Sequence, residues 1–402
     1  MDLNRARPQE TRSKIGLLVA LLLTAIVAVV VVKWAREEPM PSSSQPAEVM
    51  GQAGSRKDAA DNFIPSRNDF STGNETITAS GATQNSMLDL KEGEFSAIAS
   101  AVRSADVFLR NKSLNHLQAL ASRGSNLSLI RDELLRMDST DPAFAPLVAA
   151  LAAVGTPEIQ GMLRNVVEQR SGDWRTYSAI VPALGLLTQP VSETVEFLVQ
   201  QSRLPDPDFS STAALAIGSI VHTLSKTDPR KGEQLLSFYM AKIESNETPL
   251  DDLKESLAVV GNSGLVSAAP LLLKQIDHPR ADVRADAIMA LRFMRTPQVE
   301  DVLISRLFQE NDLEVRLRVV DALIHGPVPE RILEPVAEAL KQRSKTPAVL
   351  REKFLELFFH VNLGTEAKRK WAEWLTRYVE AETDPAVRRK VSAALQEILR
   401  VP

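Results

Sequence analysis

The chain has 402 residues, with 47 Lys and Arg against 51 Asp and Glu, five His and no Cys. A formal charge of −4 leaves no basic footprint for nucleic acid. The missing cysteines exclude disulfides, thiolate metal sites, a thiol nucleophile and a lipidated cysteine. Hydrophobic residues make up 44% but aromatics only 5%, so the core is Leu, Ala and Val, a composition that favours packed helices.

Residues 1–14 form a basic leader carrying Arg5, Arg7, Arg12 and Lys14. Ile15 to Val32 follows without one charged side chain. In helical form that run is roughly 27 Å long, close to a bilayer core of about 30 Å. Lys33 and Trp34 then supply a snorkelling cation and an interfacial ring. Residues 15–34 therefore read as a transmembrane helix. A cleaved signal peptide also begins with a basic leader, but this run is longer than a usual signal core. Its far end, VVVVKWAREEP, offers no small-x-small cleavage site. The excess of positive charge before the run places the N-terminus inside the cell and exports the remainder, into the periplasm if the cell is Gram-negative. Residues 35–93 are rich in Ser, Gly, Pro, Asn and Thr and keep no apolar period. They read as a disordered tether, with Phe63, Ile64 and Phe70 as isolated apolar points.

From 94 to 402 the text is helical, with short punctuated breaks. A phrase recurs: ADVRADAIMAL (281–291), LEVRLRVVDAL (313–323), AVLREKFLELF (348–358) and PAVRRKVSAAL (385–395). Its arginines, Arg284, Arg316, Arg351 and Arg388, are 32, 35 and 37 residues apart, a period that marks stacked helical pairs. Turn signals such as Glu310-Asn-Asp312 and Thr383-Asp-Pro385 open the copies. Between them lie amphipathic helices such as 299–309 and 331–342. The pattern resembles HEAT-type repeats, an all-α superhelical solenoid of antiparallel pairs, here about 18 helices. Arg284, Arg316, Arg351 and Arg388, with Asp312 and Asp384 four residues before two of them, are expected to form a structural polar ladder with ion pairs along the helix. Upstream, Gly155 and the Gly261–Gly264 turn end apolar helices, where a left-handed cap is expected.

The phrases Ala216-Ile-Gly-Ser-Ile-Val-His-Thr-Leu224 and Leu257-Ala-Val-Val-Gly-Asn-Ser-Gly264 carry a further likeness. With Val154-Gly-Thr156 before them and 282–294 after them, they resemble, in order, the helical domain of the large lipid transfer proteins, vitellogenin and the microsomal triglyceride transfer protein. That resemblance spans about 147–325 and implies a curved double layer of helices. In that family, sheets around the frame enclose lipid; here nothing before 94 or after 325 reads as such a container. The frame therefore carries the fold more than the cargo.

The histidines His116, His222, His278, His325 and His360 show no ligand spacing. Phosphate-loop, dinucleotide and nucleophile-elbow motifs are absent. No catalytic, cofactor or metal residues are assigned, and no enzyme activity is expected. Six of the aromatics crowd into 354–378; of these Phe358, Trp371, Trp374 and Tyr378 form a candidate interaction patch, against a plainer reading as core. The sequence thus describes a membrane-anchored, exported, non-enzymatic scaffold for another envelope protein. Lipid binding or transfer is the alternative.

Overall fold

Five helices open on a shared local logic: Thr156-Pro157, Asp206-Pro207, Asp228-Pro229, Thr296-Pro297 and Asp384-Pro385. In each, the Thr or Asp side chain accepts an N–H from the first turn. The proline contributes a fixed φ and no donor that would need a partner. The computed structural model describes residues 93–124 and 126–400. The expected leader, membrane helix and, but for Gly93, the tether lie outside the described residues. Among the described residues, no helix is long and apolar enough to cross a membrane.

The described residues form 18 α-helices, four short 3₁₀ segments and no strand, with one isolated bridge between Val328 and Val361. The first pairs are α1 (Glu94–Val102) with α2 (Val107–Ser122), α3 (Leu127–Arg136) with α4 (Phe144–Val154), and α5 (Pro157–Gln169) with α6 (Trp174–Gly185). Next come α7 (Ser192–Gln201) with α8 (Pro207–Leu224), α9 (Pro229–Glu244) with α10 (Leu250–Ser263), and α11 (Ala269–Gln275) with α12 (Ala281–Ala290). The last are α13 (Pro297–Gln309) with α14 (Leu313–Ile324), α15 (Leu333–Lys341) with α16 (Ala348–Glu356), and α17 (Thr365–Ala381) with α18 (Pro385–Leu399). This is the repeat organisation read from the sequence.

The even-numbered helices pack in an unbroken row from α2 to α18. The odd-numbered helices cover one side of that row, and pack on one another mainly at α3–α5, α5–α7 and α9–α11. Buried Leu, Ile, Val and Ala fill the space between the layers, with Phe144, Phe354, Phe358 and Trp371 as the largest fully enclosed side chains.

The even row is tightest at α6–α8 and α8–α10, and glycine is the reason. A Cβ on Gly185 would lie 2.8 Å from Ala216 Cα; one on Gly218 would lie 2.3 Å from the Val259 carbonyl oxygen. On Gly261 it would lie 2.5 Å from Ala290 Cα. Each contact residue on α8 and α10 stands two positions before that helix's own glycine. Ala183-Leu-Gly185, Ala216-Ile-Gly218 and Val259-Val-Gly261 are thus one phrase repeated at one place in successive repeats. The phrases behind the lipid-transfer resemblance contain two of these glycines, so the helical spacing they encode is a matter of packing. At the ends of α4 and α10, Gly155 and Gly264 take the expected left-handed caps, with φ of 63° and 60°.

Candidate interaction surface

The repeat arginines divide into three kinds. Arg284 holds Glu310 through Nε and Nη2, both at 3.0 Å, and Arg351 holds Glu382 in the same two-pronged way at 3.1 Å. Each gives its remaining Nη1 to a backbone carbonyl of its own turn: His278 at 3.1 Å, Thr346 at 2.7 Å. The glutamates are fixed from behind. Glu310 accepts the N–H groups of Asn311 and Asp312, and Glu382 those of Thr383 and Asp384, all at 2.9 Å. Glu-x-Asp is therefore a built turn that receives the arginine of the preceding repeat and then caps the next helix. Burial pushes both glutamates up. For Glu310 the Arg284 bonds and the Asp312 N–H outweigh it; for Glu382 the Asp384 N–H, the Tyr378 hydroxyl and Arg351 do so. Both carboxyls end below their ordinary range.

Arg316 behaves differently. Its Nε donates to the Leu307 carbonyl at 3.0 Å, and its guanidinium lies 5.8 Å from the centre of the Phe354 ring. Arg388 is exposed and, among the described residues, its side chain makes no bond. The ion pairs expected along the helix, Asp312 with Arg316 and Asp384 with Arg388, do not form. Both carboxylates are committed to capping: Asp312 takes the Val315 N–H at 3.1 Å, and Asp384 those of Ala386 and Val387 at 2.9 and 3.1 Å.

A ladder does cross the repeats, on residues the sequence reading did not select. On the solvent side of the even row, Lys254 of α10 reaches Asp282 and Asp286 of α12, each at 3.4 Å. Asp286 feels Arg318 of α14 through space, and Arg318 pairs at 3.8 Å with Asp321. Lys353 of α16 bridges Asp321 and its own helix's Glu356 at 2.6 Å each, and Lys390 of α18 closes on Glu356 at 3.0 Å. Five neighbouring helices of the even row are linked by alternating charge, through ion pairs at three steps and through space between α12 and α14. Asp286, Arg318, Lys353 and Lys390 all stand two residues after the arginine of their phrase, and that column, charged in every copy, is the signal that could have found them. Arg280 and Lys254 hold Asp282 down to about 2, against its partial burial. Burial raises Asp286 in spite of Lys254.

The aromatic candidates are core. Phe358, Trp371 and Tyr378 are 2%, 1% and 5% exposed, and Trp374 is half-buried. Trp374 stacks on Tyr378 with ring centres 5.1 Å apart and nearly parallel planes, while Phe358 meets Trp371 edge-on at 5.6 Å. The patch reading fails because Phe358, delivered from the end of α16, covers the aromatic face of α17. His222 and His325 flank the half-exposed Phe293, at 6.2 and 5.7 Å between ring centres. Among the described residues, no three His, Cys, Asp or Glu side chains gather as they would around a metal ion.

Residues 269–356 match the sequence pattern of the family described as HEAT repeats; they span α11 to α16 and contain the arginines of three of the four phrases. No curated protein matches in sequence. Among solved structures the chain is similar to Kap121p, with a TM-score of 0.40, 14% identity, and coverage of 76% of this chain and 37% of that one. It thus spans little more than a third of that chain's length. It is also similar to the complex of CpcE and CpcF of phycocyanin lyase from Nostoc sp. PCC7120, with a TM-score of 0.32, 14% identity and coverage of 80% and 100%. A designed armadillo repeat protein gives a TM-score of 0.24, 15% identity and coverage of 63% and 99%.

Proposed function

We propose that this chain is a non-enzymatic protein-interaction scaffold, anchored in a membrane by residues 15–34, with its helical repeats on the exported side. The observation that carries the interaction reading is the charged strip running from Lys254 through Asp286, Arg318, Asp321, Lys353 and Glu356 to Lys390. A wall for lipid would present continuous aliphatic surface there. This strip presents alternating charges, held in place by one another and carried from one repeat to the next, which suits an extended protein partner with polar groups of its own. The anchor and its orientation rest on the apolar run and on the leader's excess of Lys and Arg.

The test places a photoreactive benzoylphenylalanine at Arg318 in the full chain, expressed in its own host, with Glu338 on the odd row as the control position. Protein adducts at 318 that are absent at 338 support the scaffold. Lipid adducts at 318 would replace it with the lipid-handling alternative. An alkaline phosphatase reporter fused after Pro402 should be active only when exported; activity of a cytoplasmic reporter at the same point would reverse the orientation.

A further inference from the structure

The last described helical pair carries an open groove of about 760 Å³ between α17 and the end of α18. Its bottom is apolar: Ala372 and Ile398 are 8% and 4% exposed, Leu395 is half-buried, and Leu399, 59% exposed, stands at the lip. Its rim is basic: Lys368, Arg369, Arg377 and Arg400, the last paired with Glu397 at 3.0 Å, against a single carboxylate in the lining, Glu373. Lys368 reaches only the Arg400 carbonyl at 3.4 Å, and Arg377 only the Glu373 carbonyl at 3.4 Å. Among the described residues neither they nor Arg369 has a carboxylate partner, whereas the lysines of the even-row strip are all paired.

We infer that this groove binds an amphipathic helix of a partner protein whose apolar stripe is flanked by acidic side chains. The lining positions of α17 run from Thr365 to Arg377, about 18 Å of helix, or some three turns of a partner rod. A channel between two antiparallel helices is the shape that a third helix fills, with its apolar stripe on Ala372, Leu395 and Ile398 and its carboxylates at the unpaired cations. Concavity separates this occupant from a membrane surface. A flat bilayer would meet Leu399 and the rim but would not reach Ile398. The neighbouring hollow on the other side of α17 shares Arg369, Arg377 and Glu373 and adds Lys370 with Glu330 and Glu366, so its charges balance and the excess of positive charge lies on the α18 side. The inference deepens the protein-partner reading by naming one surface and one partner chemistry, and does not depend on the even-row strip.

The test uses the full chain in nanodiscs and a labelled synthetic helix with leucines along one stripe and glutamates beside it. Its twin carries lysines in place of the glutamates. Fluorescence anisotropy should show the glutamate helix binding and weakening with salt. Affinity should fall at least about tenfold in the triple variant Lys368→Glu, Arg369→Glu, Arg377→Glu, which circular dichroism should show folded. The lysine helix should bind that variant better than the native chain. Equal binding of both helices, or no binding of either, would overturn the proposal. So would a dimer, or retention on phosphatidylglycerol vesicles, lost in the triple variant without discrimination between the helices; these would assign the groove to a second copy or to lipid. Failure here with protein adducts at position 318 would leave the scaffold standing and remove only this groove.

Discussion

Arg351 and Arg388 occupy the same place in their phrases and should behave oppositely when truncated. Arg351 is buried against Glu382, whose carboxylate is fully enclosed; removing it leaves that charge inside the protein with only the more distant Arg343, at 3.6 Å, as a cationic partner. Arg351→Ala should cost about 3–5 kcal/mol, and Arg388→Ala, whose side chain faces water, within about 0.5 kcal/mol, both read from chemical denaturation. Comparable losses would mean that the Arg351 clasp is as dispensable as an exposed charge. The same clasp sets a pH dependence. Glu310 and Glu382 titrate below their ordinary value of 4.5 in the folded chain. Their contribution is therefore complete above that pH and is lost as pH falls through the lowered folded values. Melting temperatures should decline on acidification below about pH 4.5, and Glu382→Gln should flatten that decline while lowering the neutral value. An unchanged acid slope would show that the clasp carries none of it. The pairing of these glutamates is not legible in the sequence because their partners lie 26 and 31 residues away, a distance only the stacking of repeats closes. The capping aspartates were visible as turn signals, yet their pairing with the arginines was misjudged. A carboxylate at a helix start has free N–H groups to satisfy before it can turn to a side chain one turn on.

At the scale of the helix, glycine means two things in this chain, and substitution separates them. Gly218→Ala would force a Cβ to within 2.3 Å of the Val259 carbonyl oxygen, so α8 and α10 must part; the expected cost is about 1–3 kcal/mol. Gly161, inside α5, has open space around it, the nearest atom being Arg164 Nη2 at 3.8 Å. Gly161→Ala should stabilise by about 0.5–1 kcal/mol through helix propensity alone. Equal effects in thermal denaturation would dismiss the glycine ladder. The helices, their caps and their repeat spacing were legible because capping chemistry and apolar periods are local. The fate of the Trp371–Trp374–Tyr378 stripe was not. A stripe at helical spacing is buried against something, but its own helix does not say whether that is Phe358 of the same chain or a partner. The charged column after each arginine was present in the text, yet only the alignment of neighbouring helices turns it into a row of interacting charges.

Taken as a stack, the described helices touch mainly their neighbours, so stability should be distributed along them rather than shared by all. Among the described residues, the glycine-closed stretch from α6 to α12 has the closest helix approaches, whereas α17 and α18 pack on the rest through α16 and the aromatic group. Trp371→Ala removes a side chain that is 1% exposed and should cost about 3–5 kcal/mol, but only where its contacts are. Native-state hydrogen exchange should therefore show amides of 357–400 losing protection, while those of α6, α8 and α10 keep theirs. Gly218→Ala should reverse the order, loosening the middle of the stack and leaving α17 and α18 intact. Uniform loss of protection from either substitution would show one cooperative block instead of a chain of neighbours. The difference matters for binding. A locally stable stack can hold the strip from Lys254 to Lys390 rigid in its centre while the pair that forms the basic groove opens and closes on its own. Peptide binding to that groove should then slow exchange in α17 and α18 and leave α6 to α10 unchanged.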